Sequence, residues 1–60
     1  MENDSLMSVE MFCKRHGISV PFYYKLRARK MAPESVKVGA RTMISAEAAA
    51  RWRARLPRAA

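Results

Sequence analysis

Cys13 and His16 stand three residues apart in a stretch with helical periodicity, so both side chains can point to one side of one helix. That is a possible spacing for two metal ligands, but a structural zinc site takes four, mostly Cys and His. The sequence holds one of each, and the nearest acid, Glu10, falls on the opposite helix face. No metal is expected; Cys13 reads as a packed core thiol and His16 as a partly buried ring. Nucleophilic catalysis needs a base beside the nucleophile and a third group to orient it. His16 has no Asp near it in sequence, and two-metal nuclease chemistry needs clustered carboxylates that the five scattered acids do not supply. The pair Tyr23-Tyr24 offers a phenol nucleophile of the recombinase kind, but such an enzyme builds its basic pocket from a far larger domain. A chain of 60 residues buries only about 60% of its unfolded surface and leaves little for a water-excluding cleft. The expectation is a protein with no catalytic residue, no cofactor and no small-molecule ligand.

The basic residues carry more information. Lys and Arg number 12 against 5 Asp and Glu, a formal charge of +7. Six of them lie between Lys14 and Lys30 with no acid among them, and four arginines follow Ala48, again without an acid. A basic stripe on a small domain is the electrostatic footprint of a polyanion binder, although a solvated surface has the same composition. No apolar run approaches the length of a membrane span, and charges interrupt every stretch that could serve as a secretory leader. A single cysteine suits a reducing cytoplasm.

Positioning these charges requires helices with sharp ends. Residues 1–7 read as a polar tail and 58–60 as a second short tail, leaving one domain over 8–57. Ser8 caps a first helix that places Val9, Phe12, Cys13 and His16 on one face and Glu10 and Lys14 on the other. Gly17 ends it in the left-handed conformation. Ser19 caps a second helix with Pro21 in its first turn. Val20, Tyr23 and Leu26 form its core edge, with Phe22 at the margin and slightly favouring the core. Pro21, Tyr24, Lys25 and Ala28 form an exposed face flanked by Arg27 and Arg29. Two short helices joined across a glycine turn make a helix-turn-helix pattern. Ala32-Pro33 closes this unit. Val36 to Ile44 then reads as a two-stranded hairpin with a type II′ turn at Gly39-Ala40, with Val36, Val38 and Ile44 inward and Lys37 and Arg41 beside the tip. Ser45 caps a third helix whose Ala48, Ala49, Trp52 and Leu56 share a face, and Pro57 stops it. The fold class expected is mainly α with a small β-hairpin, a winged helix-turn-helix.

A protruding helix fits the DNA major groove, and its first residues reach the base edges. Here these are Val20, Pro21, Tyr24 and Lys25, with the cap Ser19 beside them on the same DNA-binding surface. Lys25 can donate to guanine O6 and N7, and Val20 and Pro21 can meet thymine methyl groups. Arg27 and Arg29 suit phosphates, which position the protein without specifying sequence. Arg41 at the hairpin tip suits insertion into a minor groove, and Lys37 beside the tip joins the DNA-binding set. Tyr24 has two readings, facing DNA or packing on the hairpin. Arg41 likewise reads as a groove-inserting or a solvated residue.

The run Ser8-Val9-Glu10, Gly17-Ile18-Ser19, Tyr24-Lys25-Leu26, Pro33, Val36-Lys37-Val38-Gly39, Arg41, Ile44-Ser45, Glu47 and Trp52 resembles the small AlpA/excisionase-type regulators. These are winged helix-turn-helix proteins related to the MerR DNA-binding domain, and the resemblance covers residues 6–56. It implies a bacterial mobile element and a nucleoid-associated protein of the bacterial cytoplasm. It implies a recognition helix in the major groove and a wing in the minor groove. It also implies double-stranded DNA and a separate integrase as partners, several copies loading side by side on a bent site, and no membrane partner. Excisionases of this type steer the integrase toward excision, and AlpA-like relatives activate transcription. The sequence departs from the family at Val20, where Arg is usual, at Pro21 and Phe22, where small polar residues are common, and at Lys30, where Gly often follows the recognition helix. Ala40 replaces a frequent basic residue, and His16 an aliphatic one. The expected function is that of an excisionase that bends attachment-site DNA. The alternatives are a transcriptional regulator using the same surface, or an interaction module of anti-repressor type whose basic face meets an acidic partner.

Overall fold

Three serines set the start of every helix in the computed structural model, which describes residues 6–57. Each sits in extended backbone with its hydroxyl accepting from the amide three residues on: Ser8 from Met11 (3.1 Å), Ser19 from Phe22 (3.2 Å) and Ser45 from Ala48 (2.9 Å). Each cap satisfies an amide that the first helical turn leaves without a partner, a contribution of about 1 kcal/mol. The chain runs β1 (Leu6–Ser8), α1 (Val9–His16), α2 (Val20–Ala28), β2 (Val36–Val38), β3 (Arg41–Ser45) and α3 (Ala46–Arg55). Gly17 takes φ +68°, and the amides of Gly17 and Ile18 both return to the Cys13 carbonyl, so α1 ends within one residue and α2 begins after Ser19.

The sheet has three strands, not the two of a simple hairpin. β1 pairs antiparallel with β3 in the order β1-β3-β2, so the fold is a mixed one of three helices and a three-stranded antiparallel sheet. β1, at Leu6–Ser8, thus starts inside the stretch expected as an N-terminal tail. The remainder of the expected N-terminal tail (residues 1–5) and the C-terminal tail (58–60) lie outside the described residues. The two-residue loop Gly39-Ala40 is as expected. Gly39 has φ +64° and Ala40 has no positive φ, which is the type II′ combination.

That loop corrects the placement of the valines. It fixes the register Val38↔Arg41 and Val36↔Met43, which puts both valines on the face of Arg41 and Met43. Ile44 belongs to the other face with its partner Met7, and both are buried, whereas Val36 and Val38 are half-exposed. The core lies between the inner sheet face and the helices. Phe12, Tyr23 and Ile44 are its largest fully buried side chains. The ring of Phe12 meets Trp52 edge-on at 5.2 Å and Tyr23 at 5.9 Å. Trp52 also donates its indole N–H to the Met31 carbonyl at 2.8 Å, which fastens α3 to the segment leaving α2. Phe22, slightly favoured for the core, is half-exposed, and Leu56 lies beyond α3 in extended backbone, also half-exposed. A residue before proline avoids the helical region, which accounts for Leu56 ahead of Pro57.

α2 ends in a Schellman motif. The Lys30 amide donates to the Arg27 carbonyl (3.0 Å) and the Met31 amide to the Leu26 carbonyl (2.8 Å). The motif needs a left-handed residue, and Lys30 supplies it at φ +61°, the only non-glycine residue with positive φ among those described. An L-residue pays roughly 1–2 kcal/mol there, and glycine gives back part of the gain in unfolded-state entropy. Lys30→Gly should therefore stabilise the fold by about 0.5–1 kcal/mol and raise Tm by about 2–8 °C. A thermal melt checks this; an unchanged or lower Tm would mean that Lys30 is not held left-handed.

Candidate nucleic-acid interface

α2 is amphipathic in an unusual sense: one side is core and the other is basic and aromatic. Tyr23 is fully buried, and Val20 and Leu26 pack against the core from its edge. Pro21, Tyr24, Lys25, Ala28, Arg27 and Arg29 are exposed, as is the cap Ser19. The Tyr24 ring stands edge-on to Tyr23 at 5.0 Å, so a buried aromatic props up an exposed one. Tyr24 keeps 47% of its surface exposed, enough to meet a ligand while packed on one side.

The first turns of α2 and the hairpin tip face a common cleft of about 280 Å³, lined by Val20, Tyr24, Ala40, Arg41 and Thr42 with Ser8, Val9 and Glu10. Of the nine residues selected from the sequence, the cleft brings together Val20, Tyr24 and Arg41. Pro21, Lys25 and Arg29 extend the surface along α2, while Arg27 flanks it on the side of Tyr23. Val20 is less available than expected, because part of it packs on the core. Strand alternation separates the two basic residues of the hairpin. Lys37 shares a face with Thr42, whereas Arg41 shares the outer face with Val38, although both are exposed.

The sequence reading missed Glu10. It places Glu10 on the polar side of the first helix, which is correct, but gives no hint that this side borders the cleft beside Val20 and Tyr24. The connection arises because β1 pins the start of α1 against β3. A carboxylate at that edge can accept a hydrogen bond and repels an anion.

The two buried titratable groups are structural. Burial pushes the Cys13 thiol above its usual range, which leaves it un-ionised and unreactive at neutral pH. Burial also pushes the Tyr23 phenol up, opposed by the nearby Arg27 charge and by the Ser35 hydroxyl beside it. Among the described residues no well-formed hydrogen bond reaches the Tyr23 hydroxyl. Both groups hold their protons more tightly folded than unfolded. Their contribution is thus complete below the unfolded values of 9.0 and 10.0 and is lost as pH rises through the higher folded values. Stability should fall progressively above about pH 9. Tyr23→Phe should remove part of that decline and cost little at pH 7, since it deletes a hydroxyl with no good partner. Chemical denaturation at pH 7, 9 and 10.5 tests this; a wild-type stability that rises with alkali would contradict it.

Among the described residues no three His, Cys, Asp or Glu side chains converge on a point, and no helix is long and apolar enough to cross a membrane. The Arg51–Glu34 ion pair is exposed at 3.4 Å and contributes little. Comparison with protein-family models, with characterised proteins and with solved structures finds no match to this chain.

Proposed function

We propose that this protein is a winged helix-turn-helix factor that binds double-stranded DNA in the bacterial cytoplasm and acts as an excisionase-like accessory protein, without performing chemistry itself. The supporting observation is the capped, exposed face of α2, with Tyr24, Lys25 and Arg29, set across one cleft from a hairpin whose tip carries Lys37 and Arg41. In this reading α2 enters the major groove. Pro21, Tyr24 and Lys25 read base edges, and Arg27 and Arg29 hold phosphates. The hairpin follows the backbone, with Arg41 reaching a minor groove. Val20 contributes its exposed edge, and the Ser19 hydroxyl, engaged as a cap, holds the helix start in place.

Bending a site of 20–30 bp costs of order 1–6 kcal/mol, more than one small domain with few base contacts readily supplies. Copies loaded side by side share that cost and present the bent site to a separate integrase. Arg41→Ala should accordingly reduce bending in a circular-permutation assay more than it reduces affinity. A reconstituted recombination reaction with a cognate integrase should show excision stimulated and integration not. Tight binding to promoter DNA without any effect on excision would instead assign the surface to transcriptional control.

A further inference from the structure

A second surface lies away from the cleft. Ile18, Phe22, Leu26, Met31, Trp52 and Leu56 line an apolar groove of about 420 Å³ between the α1–α2 turn, α2 and the end of α3. Phe22, Met31 and Leu56 are 46%, 57% and 45% exposed, unusual for large apolar side chains gathered in one place. A neighbouring cavity of about 300 Å³ shares Met31, Trp52 and Leu56 and extends the groove toward Lys30 and Arg55. The near end is bounded by Arg53, which donates to His16 Nε2 at 3.0 Å. Cations thus stand at both ends, and among the described residues no acid lines either cavity.

We infer that this groove docks an amphipathic helix of a partner protein, one with an apolar stripe and an acidic polar face. The apolar floor takes the anchors that such a helix presents at i, i+3, i+4 and i+7, and the Arg53, Lys30 and Arg55 charges meet its carboxylates. The described helices of a second copy do not offer that chemistry. α2 contains no acid, and α1 and α3 contain one each against several cations. Two copies would bring like charges together. At about 100° per residue, Phe22 and Leu26 lie more than a quarter turn around α2 from the centre of the Pro21, Tyr24, Lys25 and Ala28 face. The groove and the Pro21, Tyr24, Lys25 and Ala28 face are therefore available at the same time, while Arg29 lies on the Phe22 side two turns further along.

The probe is a synthetic 16-residue peptide with Leu at i, i+3, i+4 and i+7 spacings and Glu at its polar positions, labelled for fluorescence anisotropy. Two controls share its length: the same peptide with Lys for Glu, and a scrambled Glu peptide. The Glu helix should bind at least about tenfold more tightly than either control. Phe22→Ser and Leu56→Ser, both at half-exposed positions, should each weaken it about fivefold or more while the thermal melt and the affinity for duplex DNA stay near wild type. Excess duplex DNA should leave the peptide bound. Equal binding of the scrambled peptide, displacement of the Glu peptide by DNA, or indifference to both substitutions would overturn the inference. So would sedimentation showing that the free protein self-associates and that Phe22→Ser abolishes this, since a second copy would then occupy the groove.

Discussion

Trp52→Ala should leave a chain that is largely unfolded at room temperature. The indole is 6% exposed, packs edge-on against Phe12 at 5.2 Å and donates to the Met31 carbonyl at 2.8 Å. Truncating a buried aromatic of this kind costs about 3–5 kcal/mol. A domain of this size has little more than that in total. The loss reaches beyond α3, because Trp52 joins that helix to both the Phe12 face of α1 and the exit from α2. Trp52→Phe separates the two contributions. It keeps most of the packing and loses the N–H donor, and it should cost about 1–2 kcal/mol, leaving a folded domain. Circular dichroism melts of the two variants decide the matter. A cooperative Trp52→Ala melt within a few degrees of wild type would show that α3 is not what holds the domain together.

Affinity for duplex DNA should fall by about 300- to 1,000-fold between 50 and 200 mM salt. The figure follows from about five phosphate contacts, each releasing about 0.9 of a counterion, which gives a slope of log K against log salt near −4 to −5. The five exposed cations proposed for those contacts are Arg41 at the cleft, Lys25, Arg27 and Arg29 along α2, and Lys37 on the hairpin. Arg29→Ala should flatten the slope by roughly one unit and weaken all duplexes alike. Arg27→Ala should do the same, since Arg27 is also exposed. A slope near −1 would leave these cations as a solvated surface.

Features set by neighbouring residues were legible in the sequence. The caps Ser8, Ser19 and Ser45, the left-handed Gly17 and the II′ loop at Gly39-Ala40 each depend on a few adjacent positions, and each forms as expected. So do the buried face of Val9, Phe12 and Cys13 and the buried Trp52. What was not legible depends on pairing at long range. Leu6-Met7-Ser8 is too short to show a period, and becomes a strand only because Met7 meets Ile44 across the sheet. The Val-Lys-Val alternation marks one face as apolar without saying which way it turns; the register imposed by the loop turns it outward. The same limit hid the edge of the candidate site. Glu10 reaches the cleft, and Lys37 and Arg41 part to opposite faces, through β1–β3 and β2–β3 pairing that no local pattern encodes. Phe22 sat at the margin of the helical wheel, and its half-exposure follows from a groove that no part of the described chain covers.

The proposed function stands or falls on whether α2 reads bases as well as meeting charge. Fluorescence anisotropy of a duplex selected from random sequence, set against a shuffled duplex at the same salt, measures this directly for wild type and Lys25→Ala. Wild type should prefer the selected duplex, and Lys25→Ala should lose about 1–3 kcal/mol of discrimination at one base position while retaining most of its affinity for the shuffled one. Equal wild-type affinity for the two duplexes, with Lys25→Ala weakening both to the same extent, would contradict it.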